Sequence, residues 1–70
     1  MRTSELIRSL TESDYQKIMD AISSHYKAQN VLERIRNGEG DMRIRRDLGM
    51  NENALHTMKS RLKSIILDLI

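Results

Sequence analysis

The side chains most often used in catalysis are few in this sequence. His25 and His56 are far apart, no cluster of metal ligands surrounds either, and cysteine is absent. None of the serines lies in a nucleophile-elbow motif or beside a suitable His–acid pair. Since zinc and nucleophilic sites need several such groups together, we expect both histidines to be ordinary polar surface residues.

The other feature that suggests chemistry is the loop "NGEGD", residues 37–41. It has two glycines, but neither the Gly-Lys-Ser/Thr that follows in a phosphate-binding loop nor a preceding strand. A break between two helices explains the loop without a ligand. We therefore expect a binding module with no enzymatic activity, no cofactor and no small-molecule substrate.

The size and composition indicate one soluble domain. A chain of 70 residues buries only roughly 60% of its unfolded surface, so stability must come from helix packing or from a partner. No apolar run approaches the ~20 residues of a membrane span, and the start, "MRTSELIRSL", lacks the apolar core of a signal peptide. We expect a cytoplasmic protein with no membrane partner.

The pattern of residue types predicts helices throughout. Proline is absent, the three glycines lie between Gly38 and Gly49, and Leu, Ile, Met, Arg and Lys dominate. We predict an all-α fold, a compact bundle of about five short helices with a long C-terminal helix, in one domain over residues 1–70. The apolar end, "SIILDLI", leaves open that the chain is the N-terminal part of a longer protein. The expected helix caps are Ser4, Thr11 or Ser13, Asp41 and Asn51.

Apolar residues at three- and four-residue spacing predict the buried face of each helix after the first. Gly49 is expected to end the fourth helix and Met50 to enter the core. The predicted faces are Tyr15, Ile18, Met19 and Ile22; Ala28, Val31, Leu32 and Ile35; Ile44 and Leu48; and Leu55, Met58, Leu62, Ile65 and Leu69.

Charge is distributed unevenly along the chain. Residues 1–33 carry four basic and five acidic side chains, whereas residues 34–63 carry eight basic and four acidic ones. The net charge of +2 therefore hides an acidic first half and a basic second half. Such a distribution is compatible with nucleic-acid binding by the second half or with docking of one half against the other half of a second copy.

Half of the chain, "VLERIRNGEGDMRIRRDLGMNENALHTMKSRLKSI", resembles the response-regulator-type and sigma-factor-type helix-turn-helix. Ile44, Leu48, Gly49, Met50, Leu55 and Met58 fit its apolar and turn positions. The resemblance implies that duplex DNA is the partner, with Arg43, Arg46, Lys59 and Lys63 on phosphates. Arg45 departs from the pattern, which has a small residue there. The residues implied to bind DNA through the fifth helix are Asn51, Asn53, His56, Thr57, Ser60 and Lys63.

The whole chain also resembles the bacterial death-like domains, which are helical modules of defence and signalling proteins. The resemblance lies in "SLTESDYQKIMDAISS", "VLERIRNGEGD" and "LGMNENALHTMKSRLKSIILDL". It implies a non-enzymatic module that binds itself or a similar helical domain and gathers signalling or defence effectors. An acidic and a basic surface on one molecule can dock head to tail. The candidate acidic residues are Glu5, Glu12, Asp14 and Asp20, and the candidate basic residues are Arg34, Arg36, Arg43, Arg45, Arg46 and Lys59.

Homotypic protein–protein interaction is our leading interpretation, and sequence-specific DNA binding is the alternative. They differ in which side chains must be exposed. The first needs free charges on separate helices, whereas the second needs the polar side of the fifth helix to face solvent.

Overall fold

Five helices account for most of residues 2–70, the part of the chain that the computed structural model describes. They are α1 (Thr3–Ser9), α2 (Glu12–Ala21), α3 (Tyr26–Arg36), α4 (Asp41–Leu48) and α5 (Glu52–Leu69). No strand occurs within these residues, and α5 is the longest helix at 18 residues. The predicted all-α bundle with a long C-terminal helix is confirmed. None of the described helices is both long and apolar enough to cross a membrane.

Two of the predicted helix caps are confirmed. The backbone N–H of Asp14 donates to Thr11 Oγ1 at 3.1 Å, and that of Ala54 donates to Asn51 Oδ1 at 2.7 Å. Each bond satisfies one backbone donor that the first turn of a helix leaves unpaired.

The caps predicted for α1 and α4 are wrong. Ser4 and Asp41 lie inside the first turns, and Arg2 and Gly40 occupy the capping positions without a side-chain bond. The carboxylate of Asp41 instead accepts from Lys59 Nζ at 3.1 Å. A contact with α5 has therefore taken the place of a local cap.

The core is formed by all five helices and the turn before α5. The stripes predicted for α2, α3 and α4 face inward, and Met50 is buried as expected. Ile7 and Leu10 extend this core toward the N-terminus. The buried side chains are Ile7, Leu10, Ile18, Ile22, Val31, Leu32, Ile35, Ile44, Met50, Leu55, Leu62 and Ile66.

One predicted core residue of α5 is not buried. Leu69 is 48% exposed, and Ile66 is the last side chain of the helix to enter the core. An 18-residue helix is about 27 Å long, whereas its partners have 7 to 11 residues. The last turn of α5 therefore has less surface to pack against.

Two arginines join the C-terminal ends of α1 and α3. Arg8 Nε donates to the carbonyl of Ile35 at 3.1 Å, and Arg36 Nη1 donates to the carbonyls of Ile7 and Leu10 at 2.9 and 2.6 Å. The last carbonyls of a helix lack partners within it and carry partial negative charge. Each arginine thus satisfies carbonyls near the end of the other helix.

Tyr15 of α2 joins this arrangement. Its ring centroid lies 4.7 Å from the guanidinium carbon of Arg36, a cation–π contact. Burial raises the pKa of the Tyr15 hydroxyl above its ordinary value, and the nearby carboxylate of Glu33 adds to the increase. Arg36 therefore contacts three elements: α1, the turn after α1, and α2.

The turn between α4 and α5 depends on Gly49. Its φ of 65° lies in the left-handed region, where it closes α4 and lets the N–H of Met50 donate to the carbonyl of Arg45 at 2.9 Å. We expect Gly49→Ala to lower the free energy of unfolding by about 1 kcal/mol, because a β-carbon disfavours this conformation.

Gly40 provides the matched control. A β-carbon at either glycine would meet no atom within 4 Å, but Gly40 has an ordinary φ of −83°. Gly40→Ala should change stability by less than about 0.5 kcal/mol, because the entropy that alanine removes from the unfolded chain offsets its weaker preference for the N-cap position. Urea denaturation of both variants measures the difference, and equal effects would contradict the role assigned to the left-handed turn.

Candidate interaction surfaces

Three of the six candidate basic residues form ion pairs within the chain through side chains that are less than 30% exposed. Arg34 Nη1 lies 2.9 Å from Asp47 Oδ2 and 3.0 Å from Glu39 Oε1, bridging α3 to α4 and its preceding loop. The hydrogen bond with Asp47 raises the pKa of Arg34, and the same bond with Arg34 lowers the pKa of Asp47. Arg34 therefore holds two neighbouring elements together.

Arg36 and Lys59 are the other two engaged cations. Their side chains are only 21% and 19% exposed. Arg36 binds backbone carbonyls as described above, and Lys59 pairs with Asp41 of α4. Neither side chain is available for docking without loss of a contact inside the fold.

Arg45 is half-buried on α4. Its Nε atom is buried and has no hydrogen-bond partner among the described residues. It lies beside Asn53 and His56 in a depression between α4 and α5, at the place where the helix-turn-helix pattern has a small residue. The long side chain is thus accommodated between the two helices, and it presents less charge to solvent than the sequence suggests.

Arg43 and Arg46 are the most exposed of the candidate cations that form ion pairs. Their side chains are 66% and 77% exposed, and they lie three residues apart on α4. Arg43 Nε lies 3.5 Å from Glu39 Oε1 and 3.8 Å from Asp47 Oδ2, and Arg46 Nε lies 3.6 Å from Asp47 Oδ1, so their charge is partly balanced. We call these two residues the α4 basic surface.

The candidate acidic residues divide between two places. Glu12 and Asp20 are exposed and lie eight residues apart, on the same side of α2. Asp14 is half-buried, and Glu5 lines a cleft beside Lys59 and Lys63 of α5. We call Glu12 and Asp20 the α2 acidic surface.

The acidic and basic sets are not fully separated. Glu12 Oε2 lies 3.7 Å from Arg36 Nη2 in the same chain, although the Glu12 side chain is 86% exposed. Glu5 lines the same cleft as Arg8, Lys59 and Lys63. The expected division into an acidic half and a basic half is therefore incomplete in three dimensions, because the second helix meets the third.

The residues predicted to read DNA share one side of α5. Asn53, His56, Thr57 and Ser60 are all exposed and recur at three- and four-residue spacing. Asn51 uses its side-chain oxygen to cap the helix. Lys63 is half-buried beside His56 and Ser60, in a cleft of about 520 Å³ that also contains Arg2 and Arg8.

One further surface of the molecule was not predicted from the sequence. An apolar groove of about 350 Å³ lies between the turn after α2, the start of α3 and the middle of α5. Its side chains include Ile22, Tyr26, Met58 and Ile65, and Tyr26 is 80% exposed. Tyr26 lies outside the apolar stripe of α3. An aromatic residue in that position is the sequence feature that could have predicted the groove.

Within residues 2–70, no group of three or more His, Cys, Asp or Glu side chains is arranged to hold a metal ion. No protein family model matches the chain, and no curated protein or solved structure is significantly similar to it. The charged and apolar surfaces themselves are the basis for assigning a function.

Proposed function

We propose that this chain is a non-enzymatic interaction module that binds copies of itself. The α2 acidic surface of one copy docks on the α4 basic surface of the next. The observation that supports this is the exposure of Glu12, Arg43 and Arg46, at 86%, 66% and 77%, in a fold that engages most of its other candidate cations.

Such docking is heterologous, since different surfaces of the two copies meet. Heterologous contacts repeat, and they produce rings or open filaments that would gather any domains joined to the module. Exposed ion pairs are each worth about 0–1 kcal/mol, so the charges give orientation and partner choice more than affinity. The assembly is expected to be weak and to dissociate as salt is added.

Charge reversal on α4 tests the proposal. Arg43→Glu with Arg46→Glu places four acidic groups where the two surfaces meet, and like charges repel. We expect this variant to form no assembly larger than a dimer over a concentration series in which the wild-type mass continues to rise. Sedimentation equilibrium measures both.

A second variant completes the test. Glu12→Lys with Asp20→Lys should also form nothing larger than a dimer, whereas an equimolar mixture of the two variants should again form larger assemblies because their reversed surfaces are complementary. Denaturation midpoints establish that both variants fold. If the α4 variant associates like the wild type, the docking surface is wrong.

Sequence-specific DNA binding is the second candidate, and the polar side of α5 favours it. Asn53, His56, Thr57 and Ser60 are exposed together, and short polar side chains at such positions can contact base edges in a major groove. Glu52 at the start of the helix opposes phosphate, and net charge +2 is small for a module that neutralises about 6–10 phosphates.

DNA binding predicts a different set of effects for substitutions in α5. Asn53→Ala with His56→Ala should relax sequence preference, whereas Lys63→Ala should weaken binding to every duplex alike. Lys17→Ala, on the exposed side of α2, is the matched control and should change nothing. Retardation of labelled duplexes at several salt concentrations measures these effects, and affinity that does not fall with salt would contradict this function.

A further inference from the structure

The apolar groove continues into the exposed end of α5. Met58, Arg61 and Ile65 line the groove, and Leu69 lies one helical turn beyond Ile65 on the same side of the helix. Leu69 is 48% exposed. Met58, Ile65 and Leu69 form an apolar strip along α5. The exposed ring of Tyr26 lies beside this strip.

Two opposite charges lie along this strip. Arg61 and Asp68 are seven residues apart, which is two turns of one helix face, and both are exposed. Within the described residues neither forms an ion pair, in contrast to most of the other arginines of α3 and α4. The rim of the groove is basic, since Lys27 and His25 join Arg61 there and no acidic side chain lines it.

From this arrangement we propose that a second copy of this chain covers the strip, with the two α5 helices antiparallel about a two-fold axis. In that register Arg61 of each copy faces Asp68 of the other. The same helix face of each copy contributes one arginine and one aspartate, so the two copies form two identical ion pairs. A two-fold interface requires this kind of self-complementarity.

The apolar side chains fit the same register. The symmetry that sets Arg61 against Asp68 brings Leu69 of one copy to the level of Ser60 of the other, between Met58 and Arg61. Leu69 therefore reaches the apolar groove. Near the axis the facing side chains are Ser64 and Ile65, and Thr57, Ser60 and Ser64 border a shallow depression that leaves room for a second helix.

This inference deepens the proposed self-association and rests on it for the identity of the partner. The two contacts differ in kind: the α5 contact closes at a dimer, whereas docking of α2 on α4 continues to larger assemblies. One helix face buries less than the about 1,200–2,000 Å² of a stable interface, so we expect dissociation in the micromolar range or above.

Charge reversal within α5 tests the dimer. Arg61→Glu alone places two acidic groups opposite each other in both pairs, and Asp68→Arg alone places two basic groups there. Each single variant should raise the dimer dissociation constant at least tenfold. An equimolar mixture should restore it, because one copy then supplies acids at positions 61 and 68 and the other supplies arginines at both.

The apolar part has a matched pair of variants. Leu69→Ser should weaken the dimer, whereas Leu67→Ser, 62% exposed on the other side of α5, should not. Sedimentation equilibrium measures all of these proteins, and denaturation midpoints show that they fold. The inference would be overturned if Arg61→Glu and Asp68→Arg each dimerised as tightly as the wild type. It would also be overturned if the dissociation constant of their mixture were no lower than that of either variant alone. Such a result would not affect larger assemblies that depend on Arg43 and Arg46. Failure of the α5 dimer can therefore be distinguished from failure of the docking of α2 on α4.

Discussion

Replacing Arg36 by methionine should destabilise the fold by about 2–3 kcal/mol. The side chain donates hydrogen bonds to the carbonyls of Ile7 and Leu10 and stacks on Tyr15. Methionine keeps most of the apolar stem but removes the donors, so the Leu10 carbonyl loses its partner and the Ile7 carbonyl keeps only the N–H of Leu10, at 3.3 Å. Hydrogen bonds from charged groups contribute about 1.5–3 kcal/mol.

That loss is large for a domain of this size. Total stability of about 0.05–0.15 kcal/mol per residue gives 70 residues about 4–10 kcal/mol, and the single core of so small a domain places it toward the lower end. A change of 1 kcal/mol shifts the melting temperature of a small domain by about 4–8 °C. The expected decrease is therefore about 10–20 °C, which calorimetry or circular dichroism would show.

Arg46→Met is the matched control, because it makes the same chemical change at a side chain that is 77% exposed. Its stability should stay within about 0.5 kcal/mol of the wild type. Equal stability of the two variants would mean that Arg36 does not anchor α1. The comparison also separates fold from function, since Arg46 belongs to the α4 basic surface and Arg36 does not.

Truncating Leu32 to alanine should have an effect at least as large. Leu32 is fully buried on α3, the helix that contacts both α1 and α5. Leu→Ala in a packed core costs about 2–5 kcal/mol, from lost burial and from the cavity that remains. In a domain whose total stability is similar, a measurable part of the variant should be unfolded at 25 °C.

Leu67→Ala supplies the control for this prediction. Leu67 is 62% exposed, so the same substitution should change stability by less than about 0.5 kcal/mol. Urea denaturation followed by circular dichroism measures both variants. A Leu32 variant as stable as the Leu67 variant would contradict the assignment of α3 to the centre of the core.

Much of the fold could be predicted from the sequence, because helix boundaries and buried faces depend on local chemistry. Thr11 and Asn51 cap their helices through bonds to backbone groups three residues away. Gly49 turns the chain through its own φ. The stripes of α2 and α3 follow the helical period, which alone determines which side chains share a face.

The errors occur where a partner distant in sequence decides the outcome. Asp41 was expected to cap α4, but it binds Lys59, eighteen residues away. Leu69 continues the period of α5, but the bundle does not extend far enough to cover it. The local signals were present in both cases, and a contact or its absence at another helix outweighed them.

The candidate interaction surfaces show the same difference between local and tertiary causes even more clearly. The sequence by itself determined the helices, most of their buried sides and the number and order of the charges. Only the tertiary structure decided which charges remain exposed: it engages Arg34, Arg36 and Lys59 within the fold and leaves Arg43 and Arg46 at the surface. Helix formation follows from interactions between near neighbours in the chain, whereas the exposure of a charge depends on which helix lies beside it.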